Sequence, residues 1–357
     1  MEMQTFNVGD KECVALVRKL TPRECFRLMG VSDTDIDKIQ DADVSVSAQY
    51  KLAGNSIVVD VLYHIFRKAF VNRGNDTRQM TIFDACAEQN KIEYTHDNPL
   101  RVVTLCSGYD SQCLALERLK ADYPPFDYEL IAWSEIEPAA CKAHDALFPQ
   151  WADRNLGDMT KIAWEEVPDF DLLFYSTPCQ SVSQAGLQHG FTEGSGTRSS
   201  IIWNVRDALM VKQPKYACLE NVAAMVSQKF LPMFNLWQNE VMRLGYTNFA
   251  KMLNAKDYGV PQNRERIFLW SMLNEGKDVN YYFSQPMPLT KTLKDVLEDE
   301  VDTRFYLNPE RVQEFVRDNI DKVTQYANDG IGEIEPMPEK LREWVENYEK
   351  KSITTDK

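Results

Sequence analysis

The sequence predicts an α/β protein built on a doubly wound parallel sheet, and three observations predict it. Short apolar runs recur between residues 99 and 273, separated by stretches of helical periodicity. These runs are nearly continuous, which is how strands covered on both faces read. Polar signatures close several of them, where an open α/β sheet leaves its ligand crevice.

The elements follow in order. In Leu20-Thr21-Pro22-Arg23-Glu24-Cys25, Thr21 is an N-cap, Pro22 sits in the first turn and Glu24 stands three residues past the cap. Leu52-Ala53-Gly54-Asn55-Ser56 reads as a turn and 57–70 as an apolar helix, so that 1–72 is one N-terminal piece. Residues 73–98, with Gly74-Asn75-Asp76, read as a linker containing a short helix near 80–90. The core, 99–273, opens with a strand over 101–105 and a helix that includes 114–119. A strand over 130–133 and a helix over 138–148 come next, then strands over 171–175, 216–220 and 267–270. The acidic remainder, 274–357, predicts helices near 308–326 and 338–351.

Composition bounds the function. A chain of 357 residues can bury a large core, and 44% apolar with 26% charged residues is ordinary for a soluble globule. The net charge of −14 repels nucleic acid at long range, so a DNA partner requires a local basic face. No apolar run is long enough to span a bilayer, and the polar N-terminus resembles neither a signal nor a transit peptide. Eight cysteines without a Cys-x-x-Cys pair, and four histidines that do not cluster with them, argue against a metal site. They fit free thiols in a reducing cytoplasm.

Three constellations carry chemistry. Ser176-Thr177-Pro178-Cys179-Gln180 turns out of the strand ending at Tyr175. A rigid turn, with Arg264 or Arg266 favouring thiolate over its free pKa of roughly 8.5, makes Cys179 a nucleophile and not merely a buried thiol. Leu219-Glu220-Asn221-Val222 puts a carboxylate at the end of a core strand, which is costly unless it has a partner. In Gln262-Asn263-Arg264-Glu265-Arg266 the alternate spacing puts both arginines on one side of an extended segment, aimed at a shared target. Upstream, Cys106-Ser107-Gly108-Tyr109-Asp110 leads from the first strand into a helix, Glu135 follows the second strand, and Asp158 follows Gly157. A strand-to-helix loop, a carboxylate for ribose hydroxyls and another for an adenine amino group fit an adenosyl cofactor without a pyrophosphate.

With these residues in view, the chain resembles the DNA cytosine-5 methyltransferases over most of its length. Pro178-Cys179-Gln180 with Ser183, Ala185 and Gly186 is similar to that family's catalytic motif, Glu220-Asn221-Val222 to its Glu-Asn-Val motif, and Gln262, Arg264 and Arg266 to its Gln-x-Arg-x-Arg motif. Thr197-Arg198-Ser199-Ser200 resembles its Arg-Ser element. Arg18 to Cys25 and Ala53-Gly54-Asn55-Ser56 resemble its last two motifs, which normally close the chain and here precede the cofactor loop.

The resemblance implies a Rossmann-like, S-adenosylmethionine-dependent methyltransferase fold in circularly permuted order, with 1–72 completing the domain. It assigns catalysis to Cys179, Glu220, Arg264 and Arg266, and substrate binding to Gln180, Ser183, Arg198, Asn221 and Gln262. Cofactor binding falls to Asn55, Ser56, Cys106, Ser107, Gly108, Tyr109, Asp110, Glu135, Ile136, Asp158, Met159 and Pro178. Cys179 adds to carbon 6 of a cytosine flipped out of duplex DNA, Glu220 acts at nitrogen 3, Arg266 meets the carbonyl, and carbon 5 takes the methyl group. The loop over 181–199, rich in Gly and Ser, serves as a lid.

Two departures stand out. Asp110 occupies the second glycine position of the family's Gly-x-Gly loop, adding bulk and charge near the cofactor's amino-acid end. In place of the target-recognition domain stands the acidic region 274–357, so that domain reads as reduced or absent and a partner chain is a candidate to supply it. An RNA (tRNA) cytosine-5 methyltransferase and a non-catalytic, cofactor-binding subunit are the alternatives to restriction-modification-type DNA methylation.

Overall fold

The computed structural model describes residues 5–8, 11–14, 17–71, 92–177, 198–308 and 311, with the side chains of 5–8, 11–14 and 198–200 left aside. The helices expected near 80–90 and 338–351 lie outside the described residues, as does that near 308–326 apart from Asn308 and Arg311. The chain divides into two compact units: Cys25–Val296, and a second joining Met1–Glu24 to Leu297–Lys357.

The second unit contains the antiparallel pair β1 (Thr5–Val8) and β2 (Lys11–Val14) and the start of α1 (Pro22–Arg27). The expected cap forms reciprocally. Thr21 N donates to Glu24 Oε2 at 2.8 Å, and Glu24 N donates to Thr21 Oγ1 at 3.2 Å. Glu24 is fully buried, and its carboxylate takes both Arg18 Nη atoms at 2.7 Å and Glu298 N at 2.9 Å. Burial opposes the charge, but Arg18 and the two amides hold this carboxyl below its ordinary range.

The larger unit is built on a six-stranded sheet of β3 (Leu100–Leu105), β4 (Tyr128–Ser134), β5 (Leu172–Tyr175), β6 (Tyr216–Val222), β7 (Tyr246–Asn254) and β8 (Glu265–Leu273). Their order is β4-β3-β5-β6-β8-β7. The first four strands run parallel, whereas β8 lies antiparallel to both neighbours, which corrects the all-parallel expectation. The connection over 255–264 is a 3-10 turn and a short extended stretch, too short for a parallel crossover, so the chain must reverse. β7 was not foreseen: its half-buried residues break the apolar run that marks a covered strand.

Before the sheet come α2 (Asp33–Asp41), α3 (Val46–Asn55) and α4 (Val59–Phe70). The 52–56 turn is corrected here. Ser45 caps α3 by accepting from Ala48 N, and the helix runs through Ala53-Gly54-Asn55, with only Ser56 leaving it. Helix α5 (Ser111–Asp122) follows β3, α6 (Pro138–Leu147) follows β4, and α7 (Val205–Lys212) and α8 (Leu231–Arg243) flank β6.

Successive strand residues feed opposite faces. On one face Phe66 of α4 meets Phe174 edge-on at 6.1 Å, and Phe70 meets Tyr216 at 5.4 Å and Trp270 at 5.9 Å. On the other, Leu173, Tyr175, Leu219 and Leu269 are buried with Leu209 of α7 and Trp237 of α8. A residue such as Phe70, buried completely, contributes about 1.5–3 kcal/mol. The sheet is doubly wound, with helices covering both faces, as expected. An extended segment beyond β8 is tied to the same unit by Tyr281 OH to Ile65 O at 3.1 Å and Met287 N to Asp257 O at 2.8 Å. No helix among the described residues is long and apolar enough to cross a membrane.

Candidate active site

The parallel strands β3, β5 and β6 release their polar residues at one end of the sheet. Because β8 runs the other way, its first residues arrive at that same end, with Arg266 opposite Val222 and Phe268 opposite Glu220. The reversal that the short connection forces is thus what brings the arginine motif to the carboxylate.

Glu220 is 5% exposed. Ser176 Oγ donates to its Oε2 at 2.6 Å, and Arg266 Nε stands 3.1 Å from its Oε1. Burial pushes this carboxyl up, while Arg266, the Ser176 hydroxyl and Arg264 pull against it. A carboxyl in that balance can hold a proton and surrender it to a ring nitrogen. Beside it, Asn221 Nδ2 donates to Thr177 O at 3.0 Å, fixing the peptide that leads into Pro178. Pro178, Cys179, Gln180, Ser183 and all of the expected 181–199 lid but its last two residues lie outside the described residues, and Arg198 opens a 3-10 helix (Arg198–Asn204).

Arg264 and Arg266 share a face, as their spacing predicts, with Asn263 and Glu265 exposed between them. Their targets differ, however. Arg264 Nη2 donates to Gly54 O at 2.9 Å and Ser56 O at 2.7 Å, closing the carbonyl end of α3. Gln262 reaches Met29 Sδ at 4.0 Å. The expectation of one shared target fails because side chains two apart along a twisting segment meet different neighbours.

In the loop after β3, Gly108 takes φ +60°, and nothing lies within 4 Å of where a Cβ would stand. Cys106 and Asp110 also adopt left-handed φ, +53° and +65°. Tyr109 turns inward, 2% exposed, edge-on to Phe26 at 5.6 Å and hydrogen-bonded through its hydroxyl to Ser56. Asp110, expected to add bulk and charge near the cofactor's amino-acid end, is wholly buried. Its Oδ2 accepts from Thr104 Oγ1 at 2.8 Å, His144 Nε2 is 3.7 Å away, and burial pushes the carboxyl up to about 7. Asp tolerates this left-handed conformation better than most residues, and its side chain lies in the core. Cys106 Sγ donates to Met159 Sδ at 3.4 Å, and burial pushes the thiol up to about 12.

Glu135 gathers three amides: Gly108 N at 3.0 Å on Oε2, and Ile136 N at 2.8 Å and Glu137 N at 2.9 Å on Oε1. Of the carboxylate's roughly four acceptor positions, one on Oε2 remains open. Ile136 is 71% exposed, an apolar side chain left in water at a strand end. Asp158 caps a 3-10 turn through Thr160 N and Oγ1, and those bonds hold its carboxyl below the ordinary range. Asn55 is exposed at the end of α3, and Ser56 is half-buried. An open glycine, a carboxylate acceptor and an exposed isoleucine are chemically compatible with the hydroxyls and the apolar face of a nucleoside.

Sequence reasoning missed Asn155 and Ser176. Asn155 Oδ1 accepts from Glu135 N at 3.2 Å and Gly157 N at 2.9 Å, stitching together the loops that carry Glu135 and Asp158. Ser176 was read only as part of a turn. The available signal was its place one residue past the strand, level with Glu220 on the neighbouring strand.

The model of the family described as C-5 cytosine-specific DNA methylase matches residues 3–70 and 100–356. Type II methyltransferase M2.ScrFI of Lactococcus lactis subsp. cremoris is 38% identical over 190 residues, 53% of this chain and 52% of that protein. Orphan methyltransferase M.SPRI of Bacillus phage SPR is 31% identical over 247 residues, 61% of this chain and 54% of that protein. The chain thus spans about half the length of these curated relatives. Among solved structures, the Entamoeba histolytica methyltransferase EhMeth aligns with a TM-score of 0.46 at 16% identity, covering 58% of this chain and 62% of that one.

Proposed function

The chain belongs to the C-5 cytosine-specific DNA methylase family, and on that premise we propose that it methylates carbon 5 of a cytosine turned out of duplex DNA, with S-adenosylmethionine as donor. The observation that carries this reading is the buried Glu220 carboxyl, held between Ser176 and Arg266 at the strand end where Thr177 leads into Pro178-Cys179.

When bound, S-adenosylmethionine supplies an electrophilic methyl group. Gly108, Glu135 and Ile136, with Asp158 nearby in the chain, are the residues we assign to hold it, on the strength of the open glycine and the spare carboxylate position. Cys179, as thiolate, adds to carbon 6 of the cytosine and pushes electron density toward nitrogen 3 and the carbonyl. Glu220 hydrogen-bonds nitrogen 3 through its proton, and Arg266 meets the carbonyl, so both stabilise the charge that develops. Removal of the carbon 5 proton and departure of the Cys179 sulfur restore the ring. Turning the base out costs a few kcal/mol.

The position of the Arg18–Cys25 and Ala53–Ser56 motifs ahead of β3 supports a circularly permuted order, and the bonds from Ser56 to Tyr109 and to Arg264 support their belonging to the cofactor site. The acidity of 274–357 supports a reduced recognition region, for which another chain is the candidate supplier. The thiols of Cys106, Cys113, Cys141 and Cys218, none of them in a disulfide, support a cytoplasmic setting.

The test is methyl transfer from labelled S-adenosylmethionine to mixed-sequence duplex DNA and, in parallel, to bulk tRNA, with Cys179→Ala as control. We expect 5-methylcytosine in DNA, abolished by the substitution. Product in tRNA alone would move the activity to RNA, and cofactor binding without transfer to either would make the chain a non-catalytic subunit.

A further inference from the structure

We propose that Ser176 is a positioning residue of this reaction: its hydroxyl fixes the orientation of the Glu220 carboxyl and sets the pH at which Glu220 releases its proton. The proposal rests on the cytosine methylation read above and concerns a residue that the catalytic motifs do not include.

The β5–β6 ladder ends at the Tyr175–Leu219 pair. The next two rungs are made by side chains instead, Ser176 Oγ to Glu220 Oε2 at 2.6 Å and Asn221 Nδ2 to Thr177 O at 3.0 Å. Ser176 N in turn donates to Leu105 O of β3 at 3.3 Å, which anchors the backbone from which the hydroxyl projects. The hydroxyl is therefore held from two strands.

The groups facing Glu220 divide the work. Arg266 lies 3.1 Å from Oε1 and is only a donor, so it keeps that oxygen an acceptor and leaves the proton to Oε2. Ser176 donates to Oε2, which has a second lone pair for the proton, so the hydroxyl can keep this bond whether or not the carboxyl is ionised. Arg264 adds a second, more distant positive charge, and the buried Cys218 thiol lies on the same strand. With one oxygen fixed by a cation and the other by an anchored hydroxyl, the carboxyl keeps one orientation in both protonation states. Removing the hydroxyl deprives the ionised form of a hydrogen bond, so Glu220 would hold its proton to higher pH.

The test has two readouts. In the full-length protein without DNA, infrared difference titration follows the carboxylic-acid band that disappears in Glu220→Gln. Ser176→Ala should raise its midpoint by about one pH unit, the effect of one hydrogen bond to a charged group. Ser176→Thr, which keeps the hydroxyl, should restore it. Ser176→Cys, nearly isosteric with a weaker donor, should shift it in the same direction by less, and it serves if the alanine variant does not fold. In single-turnover methyl transfer, the alkaline limb of the rate profile should move with the infrared midpoint, and the plateau rate should fall by about tenfold, less than the roughly 10²–10⁴-fold that loss of the general acid itself costs. A midpoint unmoved in both Ala and Cys variants overturns the Ser176 proposal alone. A wild-type protein that transfers no methyl group to DNA overturns the reaction reading and, with it, this role.

Discussion

Two buried carboxyls of the larger unit, Glu220 at the end of β6 and Asp110 in the loop after β3, meet the same desolvation in opposite ways. Burial pushes both up. Glu220 has a guanidinium on one oxygen and a hydroxyl on the other. Asp110 has the Thr104 hydroxyl, with His144 at 3.7 Å, and burial drives that imidazole down to about 3. Neither member of the second pair gains a charged partner: burial holds the imidazole neutral and keeps the carboxyl protonated up to about pH 7. A buried acid is a candidate for chemistry when a cation accompanies it. Without one it is a strut, here tying the loop after β3 to that strand.

The contrast can be broken most directly at Glu220. Glu220→Gln keeps the shape and removes the titrating proton, so single-turnover methyl transfer should fall by about 10²–10⁴-fold while binding of S-adenosylhomocysteine, followed by calorimetry, persists. Retained transfer would reduce Glu220 to a structural acid like Asp110.

Asp110→Asn should act in the other direction. The folded pKa of Asp110 is raised, so its contribution to stability is intact below about pH 4 and is lost as pH rises through about 7. The asparagine variant escapes that loss, and its advantage over wild type should grow from nil near pH 4 to at most about 4 kcal/mol at pH 8. Urea unfolding at the two pH values measures it, and an equal effect at both would show that Asp110 is ionised in the fold.

Arg264→Gln comes next. Losing the donor to Gly54 O and Ser56 O should cost about 1–3 kcal/mol in the same unfolding assay. Unchanged stability with weakened DNA binding would return this arginine to the substrate, where its motif first put it. The smallest effect belongs to the exposed Lys51–Glu137 pair at 2.7 Å, whose loss in Lys51→Ala should cost under about 1 kcal/mol.

Much of this was legible in the chain. The Thr21–Glu24 cap, the apolar runs of β3, β5 and β6, and the alternation across Gln262, Arg264 and Arg266 are local regularities. They are set by spacings of two or three residues, and they survive into the fold. The motif order was equally readable, and the family match covers the same segments.

What the chain could not announce is where a side chain goes once its backbone leaves regular geometry. Gly54 and Asn55 look like turn residues, yet a Ser45 cap and tertiary contacts keep them helical. Asp110 looks like a charge beside a ligand, yet a φ of +65° carries it into the core. The reversal of β8, the parting of Arg264 from Arg266, and the meeting of Ser176 with Glu220 all depend on residues far apart in sequence. By itself the sequence determined which polar motifs stand at which strand ends, because periodicity and capping are local. Only the tertiary structure decided which of them share a proton, a charge or a carbonyl, because those pairings follow from strand order and from the burial that makes each unpaired polar group costly.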